Sequence, residues 1–287
     1  MKKKGIALVE RQYLFPFVLI TSLFFLWGFA HAILDVLNKH FQELLTITRT
    51  HSAMIQATMY MGYFIMAIPA GLFINRHGYR KGVVLGLLLY GIGSLLFIPG
   101  QYIASFNMFL FSLFVIGCGL TFLETAANPY VTELGARETA ASRLNFAQSF
   151  NGLGCIFAPI LTGLLLFSDE DKGASGNVAL PYAVMGVIVL LAALAFMRVR
   201  LPEIPHEEEV DSEGHRVGLW AHKLFVFGLV ALFAYEVSEI SINSFFINYV
   251  TEVGWMNARD ASLVLSFGGL GPVSYTHLRA HETGRNL

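Results

Sequence analysis

The chain has 287 residues, of which 55% are hydrophobic and only 14% are charged, whereas a soluble globular domain carries about 25% charged residues. The apolar residues form long runs, which indicates an integral membrane protein rather than a soluble one. The net charge of −1 gives no basic surface for nucleic acid.

Eight apolar stretches follow one another, and each is predicted to be a membrane-spanning α-helix, because a span needs about 20 apolar residues. In chain order they cover residues 14–38, 53–75, 82–101, 108–132, 144–168, 179–199, 221–250 and 260 onward. The basic segment 1–13 precedes the first stretch, which lacks a small-residue cleavage site and is therefore expected to remain as a span. The two cysteines lie in apolar runs and are typical of core residues, not of a disulfide or a metal pair.

A longer polar segment at 200–220 contains two prolines and is predicted to be a solvated loop. It separates a six-helix bundle at 14–199 from the start of a second bundle at 221–271. The predicted fold class is therefore an all-α integral membrane protein with one bundle of six helices and the first one or two helices of another.

Lysine and arginine are distributed unevenly between the two sides of the membrane if the spans alternate in direction. One side holds thirteen of these residues and the other holds four, with Arg279 and Arg285 of the C-terminal tail left out. Because cytoplasmic loops carry the excess, segments 1–13 and 200–220 are expected to be cytoplasmic, in a bacterial-type inner membrane. The thirteen are Lys2, Lys3, Lys4, Arg11, Arg76, Arg80, Lys81, Arg137, Arg143, Arg198, Arg200, Arg216 and Lys223; the four are Lys39, Arg49, Lys172 and Arg259.

The tail at 272–287 is polar and interrupts the eighth stretch. Its residues Val273 to Thr283, VSYTHLRAHET, resemble one reading frame of a transposon-end sequencing adapter over eleven consecutive positions. We therefore expect a non-native tail, a gene that continues beyond the codon for Pro272, and an inactive fragment. On this interpretation His277 and His281 do not form a metal site. The alternative is a natural polar tail.

Four predicted spans carry polar side chains at helical spacing. An ionisable group inside a span costs about 2.5–3.5 kcal/mol on insertion scales and usually faces a bundle interior or an aqueous cavity. Residues three or four apart share one helix face, so we expect these stripes to converge on one polar cavity. The stripes are His31, Asp35 and Asn38; Glu124 and Asn128; Asn145, Gln148 and Asn151; and Glu236, Glu239 and Asn243.

Such a cavity suits a proton and a polyhydroxy ligand. A carboxyl group reached alternately from two sides can take up a proton on one side and release it on the other, because desolvation favours its neutral form. Carboxylates and amides also supply several hydrogen-bond donors and acceptors in a small volume. The only cation near the stripes is Arg143, which is interpreted as an anchor at the cytoplasmic end, so an anionic substrate is disfavoured.

Simpler interpretations of the same residues remain open. Amides in spans often only join helices, Asp35 lies near the outer end of its span and could contact water, and His31 could be a packing residue. Either Glu236 or Glu239 could be the one that faces the cavity.

The loop after the second stretch reads GLFINRHGYRKG, from Gly71 to Gly82, and resembles the signature loop of the major facilitator superfamily. Its glycines are expected to permit close helix approach and a tight turn, and its cations to stay on the cytoplasmic side. Asn75 stands where the signature has an acid, which removes a charge partner from the predicted gate. The matching residues are Gly71, Arg76, Gly78, Arg80 and Lys81.

Five further stretches, in the same order along the chain, are similar to the fucose permease group, the fucose–galactose–glucose proton symporters of that superfamily. They are SLFFLWGFAHAILD (22–35), MGYFIMAIPAGLF (61–73), FLETAANPYVTELG (122–135), RLNFAQSFNGLG (143–154) and YEVSEISINSFFINYV (235–250).

The resemblance implies a role for several residues. Asp35 takes the place of an aspartate implicated in proton coupling, and Glu124 that of a glutamate implicated in sugar and proton handling. Gln148 and Asn151 match sugar-facing amides, and Glu239 matches a position with Glu or Gln. The other expected substrate-binding residues are Asn128, Asn243, His31 and Asn38, of which His31 replaces an amide of the fucose permease and so has an open role.

The sequence thus predicts a proton-coupled transporter of L-fucose or a related neutral sugar, working by alternating access as a monomer in a lipid bilayer without a cofactor. The alternatives are a facilitator or symporter of another hexose or polyol and, from a different class, a membrane enzyme. The sequence contains no HExxH or GxSxG motif to support an enzyme.

Overall fold

The structure is a computed structural model, and it describes residues 8–44, 47–166, 179–198 and 222–268. The predicted cytoplasmic loop 200–220, the tail 272–287 and most of segment 1–13 lie outside the described residues.

Helices account for nearly all of the described chain. Nine α-helices are present in these ranges: α1 (Leu14–Leu44), α2 (Arg49–His77), α3 (Tyr79–Leu95), α4 (Phe97–Ile103), α5 (Phe106–Glu133), α6 (Ala140–Leu166), α7 (Ala179–Arg198), α8 (Lys223–Glu252) and α9 (Ala258–Gly268). Short 3-10 turns at Arg11–Tyr13 and Arg137–Thr139 precede α1 and α6.

The helices have the dimensions of membrane spans. Six of them, with α3 and α4 counted as one, are long and apolar enough to cross a bilayer: Arg11–Gln42, Thr50–His77, Tyr79–Ile103, Phe106–Glu133, Ala179–Arg198 and Lys223–Glu252. Helix α6 has 27 residues, which at 1.5 Å per residue is about 40 Å and also sufficient for a crossing.

The predicted span at 82–101 is interrupted once. Helix α3 ends at Leu95 and α4 begins at Phe97. Pro99 has no N–H to donate to the Leu95 carbonyl four residues earlier, so one helical hydrogen bond is missing at this point.

The helices of residues 14–198 pack into one bundle in which α1 lies against α6, and α5 lies against α2 and α3. Glycines allow the backbones to approach closely at these contacts. A Cβ atom on Gly154 of α6 would overlap the Phe25 carbonyl of α1 and lie 2.7 Å from the Phe29 nitrogen. The contact between α1 and α6 therefore brings two polar stripes side by side.

Helix α8 joins this bundle only by its C-terminal half. The residues of α8 that are buried are Ser244, Ile247, Asn248 and Val250, and the first half of the helix is exposed. Helix α8 contacts α1 and α9, and α9 contacts α6. The contacts of α8 are thus concentrated at the end of the bundle where α1 finishes.

Candidate functional site

The stripe on α1 begins a polar network that reaches two other helices. The Asp35 carboxylate accepts hydrogen bonds from Gln56 Nε2 of α2 at 3.1 Å and from the Ser244 hydroxyl of α8 at 3.4 Å. Asp35 also lies close enough to Glu239 of α8 for the two carboxylates to interact electrostatically. Asp35 therefore lies at the junction of α1, α2 and α8.

Asn38, one turn further along α1, is fully buried. Its Nδ2 atom donates to the Ser244 carbonyl at 2.8 Å, and its Oδ1 atom accepts from Gln42 Nε2 at 2.9 Å. Gln42 in turn donates to the Ser52 hydroxyl at 2.7 Å. The Asn38 amide thus joins α1 to the α8 backbone.

His31 lies one turn on the other side of Asp35 and contacts two tyrosines of α2. Its Nε2 atom is 2.8 Å from the Tyr63 hydroxyl, and its Nδ1 atom is 3.4 Å from the Tyr60 hydroxyl. Trp27 Nε1 also donates to the Tyr63 hydroxyl at 3.0 Å. The His31 ring also lies against three aromatic rings, with centroid distances of 5.9 Å to Trp27, 6.0 Å to Tyr60 and 5.6 Å to Tyr63.

A cleft lies between α1 and α5. It contains the stripe of α5: Glu124 and, one turn away, Asn128. The amide of Gln148 on α6 donates to Asn128 Oδ1 at 3.4 Å. The lining residues are Leu23, Phe24, Trp27, Leu123, Glu124, Ala127 and Asn128.

Glu124 and Asp35 have different surroundings. Both side chains are half-buried, but no donor among the described residues forms a hydrogen bond with the Glu124 carboxylate. A carboxylate in an apolar cleft without a partner is available to a ligand, and an unpaired buried group is costly unless one arrives.

The stripe of α6 points partly toward α1. Asn151 Nδ2 donates to the Phe24 carbonyl at 3.3 Å, and the Cys155 thiol, one turn on, lies 3.5 Å from the Gly28 carbonyl. Asn145 and Gln148 are half-buried on the same helix. Two α6 amides therefore contact residues that line the α1–α5 cleft: Asn151 bonds to the Phe24 carbonyl and Gln148 to Asn128.

Glu239 and Asn243 of α8 are half-buried, whereas Glu236 is exposed. The Tyr60 hydroxyl of α2 nevertheless interacts electrostatically with four carboxylates, which come from α1, α5 and α8. These are Asp35, Glu124, Glu236 and Glu239. Carboxylates of stripes that are far apart in sequence therefore lie within electrostatic range of one hydroxyl.

The signature loop forms the turn between α2 and α3. Gly78 has φ +85°, a conformation that favours glycine, and its N–H donates to the Ile74 carbonyl at 2.8 Å. Arg80 donates from Nε to the Phe196 carbonyl at 3.1 Å and from its guanidinium to the Met197 carbonyl. Arg80 therefore binds the C-terminal end of α7.

The expected close helix approach at Gly71 is wrong for this structure. A Cβ atom there would meet no atom within 4 Å. Asn75, Arg76 and Lys81 are exposed, and Gly78 alone supplies the glycine-dependent turn.

Arg143 is more deeply placed than an anchor at a helix end would be, since its side chain is fully buried. It donates from Nε to the Val131 carbonyl at 3.1 Å and to the carbonyls of Ala136 at 3.0 Å and Leu8 at 3.3 Å. It also donates to the Thr139 hydroxyl at 2.6 Å and to the Thr132 carbonyl. Because all these acceptors are protein groups, Arg143 is committed to the backbone around the end of α5.

Sequence reasoning missed the polar face of α2. Gln56, Tyr60 and Tyr63 are spaced i, i+4 and i+7, which is one stripe of a helix. The stripe was missed because tyrosine is counted among the hydrophobic residues of the composition, although each tyrosine carries a hydroxyl that needs a hydrogen-bond partner when it is buried.

The family model of the Major Facilitator Superfamily matches residues 17–276. The chain belongs to this superfamily. This finding confirms the predicted fold class and the resemblance of the signature loop, and it makes the chain a multi-pass membrane protein of a transporter family.

Two curated bacterial members of the superfamily are similar to this chain. The glucose/galactose transporter of Brucella abortus (strain 9-941) is 35% identical over 259 residues, which cover 88% of this chain and 63% of that protein. The L-fucose-proton symporter of Escherichia coli K12 is 34% identical over 282 residues, which cover 90% of this chain and 64% of that protein. The chain therefore spans less than two thirds of the length of these relatives.

A solved structure of the superfamily agrees with the fold. The crystal structure of a variant of the E. coli fucose:proton symporter, FucP, superposes with a TM-score of 0.69 at 30% identity, covering 94% of this chain and 72% of that one.

Proposed function

We propose that this chain is part of a secondary active transporter that takes up a neutral sugar, L-fucose or a related hexose, together with a proton. The names of its relatives, a glucose/galactose transporter and an L-fucose-proton symporter, support this substrate class. The polar site supports it independently, because its carboxylates and amides suit an uncharged polyol.

The observation that carries the proposal is the environment of Glu124. Its carboxylate lies in a cleft between membrane helices, has no hydrogen-bond donor among the described residues, and is one turn from the Asn128–Gln148 amide pair. Such a group can bind a sugar hydroxyl when ionised and a proton when the site is closed to water. Arg143, fully engaged with backbone carbonyls, adds no anion-binding site.

The position of α8 supports alternating access. Asn38 and Asp35 bind Ser244 at the end of the bundle where α1 finishes, and the first half of α8 is exposed. With a cytoplasmic N-terminus, as the charge bias favours, this end is the outer one, and these contacts would hold the outer side closed. Rocking of two bundles, residues 14–199 and those beginning at 221, would break these contacts and open the site outward.

A monomer in the inner membrane suffices for this mechanism. The 287-residue chain by itself is proposed to be inactive. The test therefore compares it with the protein encoded by the reading frame that genomic DNA gives across the codon for Pro272.

The experiment measures uphill uptake of labelled L-fucose, galactose and glucose, with proton movement, in bacterial cells that lack their own carriers for these sugars. Glu124→Gln is expected to abolish proton-coupled uptake. The matched control is Glu133→Gln, an exposed glutamate of the same helix outside the cleft, which should transport normally. Full uptake by the Glu124 variant would refute the proposal.

The same assay separates a symporter from a facilitator. Wild-type uptake that equalises concentrations without accumulation would favour a facilitator. Retention of uphill uptake by Asp35→Asn would favour a coupling scheme without Asp35.

A further inference from the structure

Four side chains form one continuous set of hydrogen bonds between α1 and α2, here called the His31 network: Trp27, His31, Tyr60 and Tyr63. Trp27 and His31 are one turn apart on α1, and Tyr60 and Tyr63 are three residues apart on α2. The contacts run from Trp27 to Tyr63 at 3.0 Å, from Tyr63 to His31 Nε2 at 2.8 Å, and from His31 Nδ1 to Tyr60 at 3.4 Å.

The number of hydrogens in the His31 network determines its direction. Indole N–H is a donor only, and a tyrosine hydroxyl donates once. Trp27 must therefore donate to the Tyr63 oxygen, and the Tyr63 hydrogen then has one acceptor among its described neighbours, His31 Nε2. The opposite assignment, with the hydrogen on Nε2, would leave the Tyr63 hydrogen without an acceptor, which costs free energy at a site removed from water.

A neutral His31 that accepts at Nε2 carries its hydrogen on Nδ1. That N–H faces the Tyr60 oxygen, so Tyr60 receives a hydrogen bond and its own O–H is free to donate elsewhere. The Tyr60 hydroxyl is within electrostatic range of carboxylates on α1, α5 and α8, and Trp27, at the other end of the His31 network, lines the cleft that contains Glu124.

We propose that Tyr60 is a substrate-binding residue that donates a hydrogen bond to a sugar oxygen in the cavity, and that His31, as the Nδ1–H tautomer, is the positioning residue that turns the Tyr60 hydroxyl toward it. The substrate class rests on the proposed function, whereas the tautomer of His31 does not. His31 is on this account not itself a sugar ligand.

The first test observes the tautomer. Ring-¹⁵N-labelled histidine in the 287-residue chain, reconstituted in lipid nanodiscs, gives separate signals for protonated and unprotonated ring nitrogens. The chain has nine histidines, and the His31 signals are those lost in His31→Gln. We expect protonated Nδ1 and unprotonated Nε2, with the preference lost in Tyr63→Phe and kept in Tyr102→Phe, a tyrosine that is 95% exposed. A hydrogen found on Nε2 of the wild type would overturn the proposal.

The second test measures equilibrium sugar binding by calorimetry on the protein from the full reading frame. Tyr60→Phe should weaken binding by about 2- to 10-fold, the effect of one neutral hydrogen bond. His31→Leu should cause the same loss, and the double variant should lose no more. His31→Gln should keep the affinity, because its amide can accept from Tyr63 and donate to Tyr60.

Two results would overturn the positioning role of His31. One is an additive loss of affinity in the double variant; the other is a loss of affinity in His31→Leu while Tyr60→Phe keeps full affinity. If the wild type binds none of the three sugars, the proposed function fails, and the tautomer measurement alone decides the His31 network.

Discussion

Replacing Arg143 with methionine is expected to destabilise the bundle far more than replacing an exposed arginine. The buried guanidinium donates to five protein acceptors, four of them main-chain carbonyls near the end of α5 and at Leu8. Methionine fills a similar volume but donates nothing. A hydrogen bond to a charged group contributes about 1.5–3 kcal/mol.

The net loss is smaller than the sum of these contacts, because water can reach the carbonyls at the membrane surface but not that of Val131, which is fully buried. We expect about 3 kcal/mol, which corresponds to a fall in Tm of about 6–12 °C for a protein of this size. Arg143→Lys keeps the charge with three donors instead of five and should fall between wild type and Arg143→Met.

The assay is thermal unfolding in detergent, followed by a thiol-reactive fluorescent maleimide. Cys118 is 5% exposed, so its reaction reports loss of the α5 packing. Arg198→Met is the matched control, because Arg198 is an exposed arginine in the last turn of α7. Equal melting temperatures for Arg143→Met and Arg198→Met would refute the stabilising role assigned to Arg143.

Two other predictions concern packing and closure. Gly154→Ala should lower the free energy of unfolding by about 1–3 kcal/mol through overpacking, since its Cβ would meet the α1 backbone. The control, Gly71→Ala, meets no atom within 4 Å and should be neutral or stabilising. The reverse order of melting temperatures would contradict this packing. Asn38→Leu removes the donor to the Ser244 carbonyl and should raise the outward-open population, measured as longer distances between spin labels at the outer ends of α2 and α8. The control, Ser241→Ala, only removes a hydroxyl bonded within α8 and should leave the distances unchanged. Unchanged distances in Asn38→Leu would show that the contact between Asn38 and the Ser244 carbonyl does not hold the outer side closed.

The helices were predictable from the sequence because lipid imposes one requirement on every span, a run of about 20 apolar residues with its backbone bonded internally. Boundaries differ from the prediction by a few residues, as at α1, which extends to Leu44 rather than residue 38. The break at Leu96 was missed because Pro99 lies within an otherwise apolar run, and hydropathy does not register a missing N–H.

The hydrogen-bond partners of these polar residues were harder to predict from the sequence than their positions on the helices. Helical spacing shows that Asn38 lies on the same face as Asp35, but it does not show that the Ser244 backbone would occupy its amide. Arg143 illustrates the same limit, since a cation near a helix end has the same sequence signature whether it lies in water or binds buried carbonyls. Both residues donate to backbone carbonyls of other segments. Because every residue carries the same backbone carbonyl, the sequence does not show which one will be the acceptor.

The two membrane carboxylates are alike in sequence, each an acid within an apolar span, and the structure separates them by what they bind. Asp35 is bound by Ser244 of α8, the helix that must move if the bundles rock. Glu124 lies in a cleft lined by α1 and α5 of one bundle, and no donor in the described part of the chain bonds to its carboxylate. A proton on Asp35 would remove the charge that Ser244 binds and so act on closure, whereas a proton on Glu124 would act on ligand binding. Asp35→Asn should therefore bind sugar in the calorimeter while losing accumulation in cells, and Glu124→Gln should lose both; loss of binding in Asp35→Asn would contradict this division.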